Sequence, residues 1–336
     1  MNRRLLINLA LSSSVAATFL YLAFRHVPLA DLGAAFARFD PRWLVPAVAI
    51  SLLLMVFRAW RWQLELRPLE HVGLGRLWVV CSVAYMAINI LPLRAGEVVR
   101  PWLLARRSHV TASNVVGNLV VEKTMDAIAI AFYFLVGLLT TANLPEWVHR
   151  GARVPALLAV LLAGLVALLW FRGEPFLDRL IMRYLPERLG TGLMRILRAI
   201  LDGMRVLPDG RLLGSVFVVS LVLWFLPILS SYVIIRAFSF AVPPSAALIV
   251  FIFVGFGTAL PNFPGMIGTY QYACVLALQL FGVDQADALA YGLVLNALQV
   301  LSLLAQGMVG LPLAGVSLDD FRRARRELAA EVVPGP

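Results

Sequence analysis

The sequence predicts an all-α, polytopic helical membrane protein with about six full spans and two oppositely oriented re-entrant hairpins that form an inverted repeat. Three observations lead there. The chain is 61% hydrophobic and only 14% charged, with several apolar runs near the roughly 20 residues that cross a hydrocarbon core. Arg residues gather in particular loops, the positive-inside pattern that orients spans. Two apolar runs break at the same pattern, Leu-Pro-x-x-x-Gly, at Leu91–Gly96 and Leu260–Gly265.

Residues 1–336 read as one transmembrane domain, with no soluble stretch long enough for a separate catalytic domain. The net charge of +10 is carried almost wholly by Arg. Its placement in loops fits anionic headgroups at the cytoplasmic face and argues against nucleic acid. Cys81 and Cys274 lie in apolar runs, where packing rather than a disulfide or metal cluster is expected. Met1–Arg4 ahead of an apolar run resembles a secretion signal, but the run is of span length. An uncleaved first helix with a cytoplasmic N-terminus is expected.

The first span covers about 5–24, residues 25–40 form a short external segment, and a second span runs from about Trp43 to Phe57. Arg58, Arg61, Arg67 and Arg76 mark the next loop as cytoplasmic, with Trp60 and Trp62 as interface anchors. The run Leu77–Leu91 is followed by Arg100, Arg106, Arg107 and His109, again a cytoplasmic signature. One crossing cannot begin and end on the same side, so 77–107 is expected to enter and return as a hairpin broken at Pro92 and Gly96. Asn114–Leu139 then forms a full span. Its Asn114, Asn118, Glu122 and Asp126 recur every four residues and so share one helical face, with Lys123, the only Lys, beside them.

An outer loop, 140–153, leads to a span over about 154–171. Residues 173–211 carry Arg at helical spacing among apolar residues and read as an amphipathic cytoplasmic connector, or alternatively as a small soluble hairpin. A span at about 212–235 follows. The run 246–260 then breaks at Pro261, Pro264, Gly265 and Gly268, and a return segment covers 270–281. The last span is about 286–313, before a tail with Arg322, Arg323, Arg325 and Arg326 that is expected to be cytoplasmic, as is the N-terminus. Charge counting therefore makes 246–281 a hairpin opening on the opposite side. The two breaks stand 169 positions apart, and the same offset carries Trp43 to Leu212. Residues 41–140 and 212–313 thus each read span, hairpin, span, the inverted repeat of many transporters. In a Leu-rich chain, coincidence is the competing explanation of the matching breaks.

Charges at membrane depth cost about 2.5–3.5 kcal/mol each even on lenient scales, so they are rarely idle. Arg94, Glu97 and Arg100 on the first hairpin and Glu122, Lys123 and Asp126 on the next helix are expected to pair. They either lock the hairpin into the bundle or leave an Arg free for a phosphate, which a guanidinium suits bidentately. Asn118, and in the second half Asn262, Tyr270, Gln271 and Asn296, could hydrogen-bond a headgroup or simply join helices. No nucleophile elbow, Walker loop or paired-aspartate transferase motif is present, and the four His residues lack ligand spacing. No cofactor, metal site or enzymatic activity is expected, although an integral-membrane lipid transferase stays open as an alternative.

Asn89–Arg100, Val121-Glu-Lys-Thr-Met-Asp126 and Pro264-Gly-Met-Ile-Gly-Thr-Tyr270 together resemble the lysylphosphatidylglycerol synthase transmembrane region family. Its flippase-like members include the N-terminal portion of the multiple peptide resistance factor. The resemblance covers nearly the whole chain and implies translocation of an anionic or aminoacylated phospholipid, or a related lipid, across a bacterial cytoplasmic membrane. Lys123 stands where Arg is expected, and Gln271 where an acidic residue is common. The soluble aminoacyltransferase domain of fused members is absent from this sequence, so aminoacyl-lipid synthesis is not implied. The alternative is a non-transporting membrane partner of a lipid-biosynthetic enzyme, as in hopanoid or glycolipid pathways.

Overall fold

A computed structural model describes residues 3–90, 96–105, 112–141, 209–258 and 264–315, with scattered positions between 146 and 201. Every regular element among the described residues is helical. The chain begins with α1 (Arg3–Phe24) and α2 (Leu29–Ala37), which meet at 79°. The corner lies at Arg25–Pro28, where Pro28 lacks an amide hydrogen and His26 takes a left-handed φ of 69°. Gln285 ties it down by donating from Nε2 to the carbonyls of Ala23 and Arg25. An Arg38–Asp287 ion pair holds the end of α2.

The next helices are α3 (Leu44–Leu66), α4 (Leu74–Ile90), α5 (Gly96–Ala105) and α6 (Ala112–Thr140). After the middle of the chain come α7 (Gly210–Ala237), α8 (Ser245–Thr258), α9 (Thr269–Gln279) and α10 (Gln285–Leu313). Asp209 caps α7 by accepting from the amides of Arg211 and Leu212. The helices α3, α7 and α10 are long and apolar enough to cross a membrane, and the bent α1–α2 pair would make a fourth span. The 29-residue α6 carries Glu122, Lys123 and Asp126 near its middle. The outward faces are apolar, with Leu52, Leu53 and Val56 on α3, Phe225 on α7, and Leu301 and Met308 on α10 exposed. Such faces suit lipid.

Two short pairs pack within this frame, α4 against α5 and α8 against α9. At 17 and 14 residues, α4 and α8 reach about 26 and 21 Å at 1.5 Å per residue, short of a core of about 30 Å. The largest interfaces join α3 to α7 and α4 to α10. Gly307 lets α10 approach α4, since a Cβ there would sit 2.3 Å from Met86 Cβ.

One expectation is corrected. The second span does not end at Phe57: α3 continues to Leu66, so Arg58, Arg61 and Trp62 are helical rather than loop residues. Trp62 is fully buried and is no interface anchor, whereas Trp60 is exposed. The helix can run on because the charges it brings inward find partners. The expected span at 154–171 is helical at each of its described positions, 154, 156–164 and 167, whereas most of the connector at 173–211 and the C-terminal tail beyond 315 lie outside the described residues, as do Pro92, Arg94, Pro261 and Asn262.

Candidate functional site

The site grows from two polar stripes on facing helices. On α3, Arg58, Arg61, Trp62 and Glu65 recur at three- and four-residue spacing and so occupy one face. On α6, Asn118, Glu122 and Asp126 do the same. Arg100 enters from α5, and Ser220 and Trp224 from α7.

Arg61 is the hub, with 3% of its surface exposed. Its Nη1 reaches Asp126 Oδ1 at 2.5 Å, its Nη2 Glu122 Oε1 at 3.1 Å, and its Nε Glu65 Oε1 at 3.7 Å. Nη1 also lies 3.3 Å from Ser220 Oγ. Trp224 Nε1 donates to the same Asp126 oxygen at 2.8 Å. Glu122 is shared: its other oxygen, Oε2, accepts from Arg100 Nη1 at 2.6 Å. The Arg100 guanidinium lies 3.9 Å from the centre of the Trp62 ring, and Trp62 Nε1 donates to Asn118 Oδ1 at 2.9 Å. The Arg58 guanidinium lies over Tyr85 at the same distance.

Burial makes these contacts strong and their loss costly. Removing one partner from a buried ion pair typically costs about 3–5 kcal/mol, because the other charge is stranded in a low dielectric. The network is incompletely satisfied. Among the described residues both oxygens of fully buried Glu65 lack a hydrogen bond, as do Arg58 Nε and Nη1, Arg100 Nε and Asn118 Nδ2. Among the described residues no three His, Cys, Asp or Glu side chains are placed to hold a metal ion.

The expected residues divide into three groups. Arg100, Asn118, Glu122 and Asp126 come together. Lys123 is exposed and points away from the cluster, since one residue along a helix turns the side chain by about 100°. Arg94 lies outside the described residues, and for Glu97 only the backbone position on α5 is described. Arg61, Glu65 and Trp62 were not anticipated. The signal was present in the 58/61/65 spacing, hidden by ending the span at Phe57.

In the second half, Gln271 and Asn296 build a turn. Gln271 Oε1 accepts from the Gly268 amide at 2.7 Å and its Nε2 lies 3.3 Å from Asn296 Oδ1. Asn296 Nδ2 donates to the Gly265 carbonyl at 3.0 Å. The turn needs left-handed backbone at Gly265 (φ 75°), Met266 (57°) and Gly268 (92°). Pro264 opens it. Tyr270 is buried in the adjoining apolar core.

No curated protein gives a significant match to the chain. A family model described as the lysylphosphatidylglycerol synthase TM region does match, over residues 5–307. With nearly all of its length covered, this chain belongs to the lysylphosphatidylglycerol synthase TM region family, membrane proteins of lipid handling.

Proposed function

We propose that this protein is a flippase-like lipid transporter of a bacterial cytoplasmic membrane, with both termini cytoplasmic and no chemical transformation of its own. The lipid is an anionic or aminoacylated phospholipid or a relative of one. Its headgroup enters between the two hairpin tips while the acyl chains stay in lipid, and the hairpins open alternately. Arg94, Glu97, Arg100, Glu122 and Asp126 form the polar path for the headgroup, joined by Arg61.

The observation that carries this reading is the buried, unevenly satisfied charge network beside a short helix pair. An apolar bundle does not need such a network for stability, and buried ions at membrane depth commonly mark substrate pathways. The helix order adds support. The 169-residue offset carries α4 to 243–259, against Ser245–Thr258 for α8, and α6 to 281–309, against Gln285–Leu313 for α10. Packing pairs also recur across the halves: α3–α4 with α7–α8, α4–α5 with α8–α9, α5–α6 with α9–α10, and α4–α10 with α8–α6. This is the pattern expected of two repeats facing each other across the membrane plane.

The test is reconstitution of the purified chain in liposomes with fluorescent phosphatidylglycerol. The expected result is protein-dependent exchange between leaflets that Arg100→Ala and Glu122→Gln reduce. Exchange no faster than in empty liposomes would overturn the reading. The saturation of Arg61 by protein carboxylates favours a second reading, a membrane scaffold for a lipid-modifying enzyme. Stoichiometric co-purification of such an enzyme, unchanged by Arg100→Ala, would support the scaffold.

A further inference from the structure

Three guanidinium groups face three carboxylates in the bundle, but the pairing is lopsided. Arg61 takes up Glu65, Glu122 and Asp126, and Arg100 shares Glu122 through Nη1 alone. Arg58 rests on a ring instead, 3.9 Å above Tyr85, with its Nε and Nη1 buried and without hydrogen-bond partners among the described residues. The Nε–H and Nη1–H groups of a guanidinium point in different directions, so these two unmet donors are open to separate acceptor oxygens rather than to one bidentate contact. Two more buried donors have no hydrogen-bond partner among the described residues, Arg100 Nε and Asn118 Nδ2, while the unmet acceptors of the network are the oxygens of Glu65, whose Oε1 lies 3.7 Å from Arg61 Nε.

These groups belong to one neighbourhood. Arg100 and Asn118 contact the same Trp62 indole, one by stacking and one by hydrogen bond. Arg58 stands one helical turn before Trp62 on the same face of α3 and rests on Tyr85 of α4, the helix that packs against both α3 and α5. Buried donors left unmet cost about 1–3 kcal/mol each, more when charged, so several together call for an acceptor-only ligand. The flat faces of Tyr85 and Trp62 hold the two cations without using their N–H groups.

We infer that Arg58, with Arg100 Nε and Asn118 Nδ2, forms a receptor for a phosphate-type oxyanion, with Arg58 as the residue that selects it. The inference rests on the lipid-handling reading above and assigns it a specific contact, the phosphodiester of the headgroup. Glu122 and Trp62 hold Arg100 for the task, and Arg61 fixes Glu122 from the other side. Free inorganic phosphate presents the same oxygens, so lipid and soluble sources need separate arms in a test.

The experiment is calorimetric titration of the full chain in detergent with dihexanoyl phosphatidylglycerol, dihexanoylglycerol and inorganic phosphate, below micellar concentrations. The phosphodiester lipid is expected to bind and the uncharged diacylglycerol is not. Arg58→Gln is expected to weaken binding at least about tenfold, the loss of one charge-assisted hydrogen bond. Arg58→Lys, which keeps the charge but loses the Nε and Nη1 donors, is expected to follow it, and exposed Arg76→Gln to bind as the unaltered protein does. Displacement of the lipid by equimolar phosphate would assign the soluble source, and no displacement the lipid. Should Arg58→Gln fail to fold, Arg58→Lys carries the test. Undiminished binding by both Arg58 variants, or equal binding of diacylglycerol, overturns the inference. Arg58-independent binding with intact transport leaves the transport reading standing; Arg58-dependent binding without transport sinks that reading and keeps this one.

Discussion

Arg61 illustrates how one residue can set the character of a bundle. Its three carboxylate partners come from two helices, and Ser220 and Trp224 from a third close the same group. Arg61→Ala is therefore expected to destabilise the purified protein by about 3–5 kcal/mol, measured as reversible unfolding in mixed micelles. A loss below 1 kcal/mol, on the order of a single exposed pair, would mean that water reaches the cluster. Trp62→Phe keeps the ring under Arg100 but removes the bond to Asn118, so a smaller loss of about 1 kcal/mol is expected in the same assay. Lys123 shows the opposite lesson: residue type alone placed it with the cluster, and helical phase removed it.

At the scale of elements, the turn before α9 and the α4–α10 contact each depend on a missing side chain. A Cβ at Gly268 would lie 2.4 Å from the carbonyl oxygen of Ala16, and its φ of 92° disfavours any L side chain. Gly268→Ala is expected to cost at least about 1–3 kcal/mol from backbone strain, before the clash with α1 is counted. Unchanged thermal unfolding of that variant would show that α1 does not close on the turn. The elements themselves were mostly legible. Apolar run lengths located α7 and α10 to within about two residues, because lipid-facing helices carry their own signal. The end of α3 was not legible, since Arg58, Arg61 and Glu65 look like loop charges until α6 is placed opposite them. The two short helix pairs, α4–α5 and α8–α9, fall where the Pro and Gly breaks interrupt the apolar runs, whereas the hydrogen bonds from Gln271 and Asn296 that hold the second turn needed partners 25 and 31 residues away.

For the whole molecule, the proposed inverted repeat makes a topological prediction. With Cys81 and Cys274 both buried, Arg106→Cys and Asp284→Cys give single reporters for an impermeant thiol reagent. Position 106 is expected to label only from the cytoplasmic side and position 284 only from outside. Both labelling from one side would remove the opposed hairpins and with them alternate opening. The family assignment stands apart from that result, as it rests on residues 5–307 as a whole.

The motifs at Asn89–Arg100, Val121–Asp126 and Pro264–Tyr270 carried the resemblance to the family; composition, the spacing of Arg-rich loops and the two Pro/Gly breaks were enough to determine an all-helical membrane protein and most of its helices. Those properties follow from how short windows of chain partition between water and lipid, which needs no knowledge of neighbours. Tertiary structure decided the site. The Asn118–Glu122–Asp126 face was visible as a stripe, but the cation that satisfies it, Arg61, stands more than fifty residues earlier. Which buried charge is paired and which keeps open donors depends on distances between helices, and only their packing sets those distances.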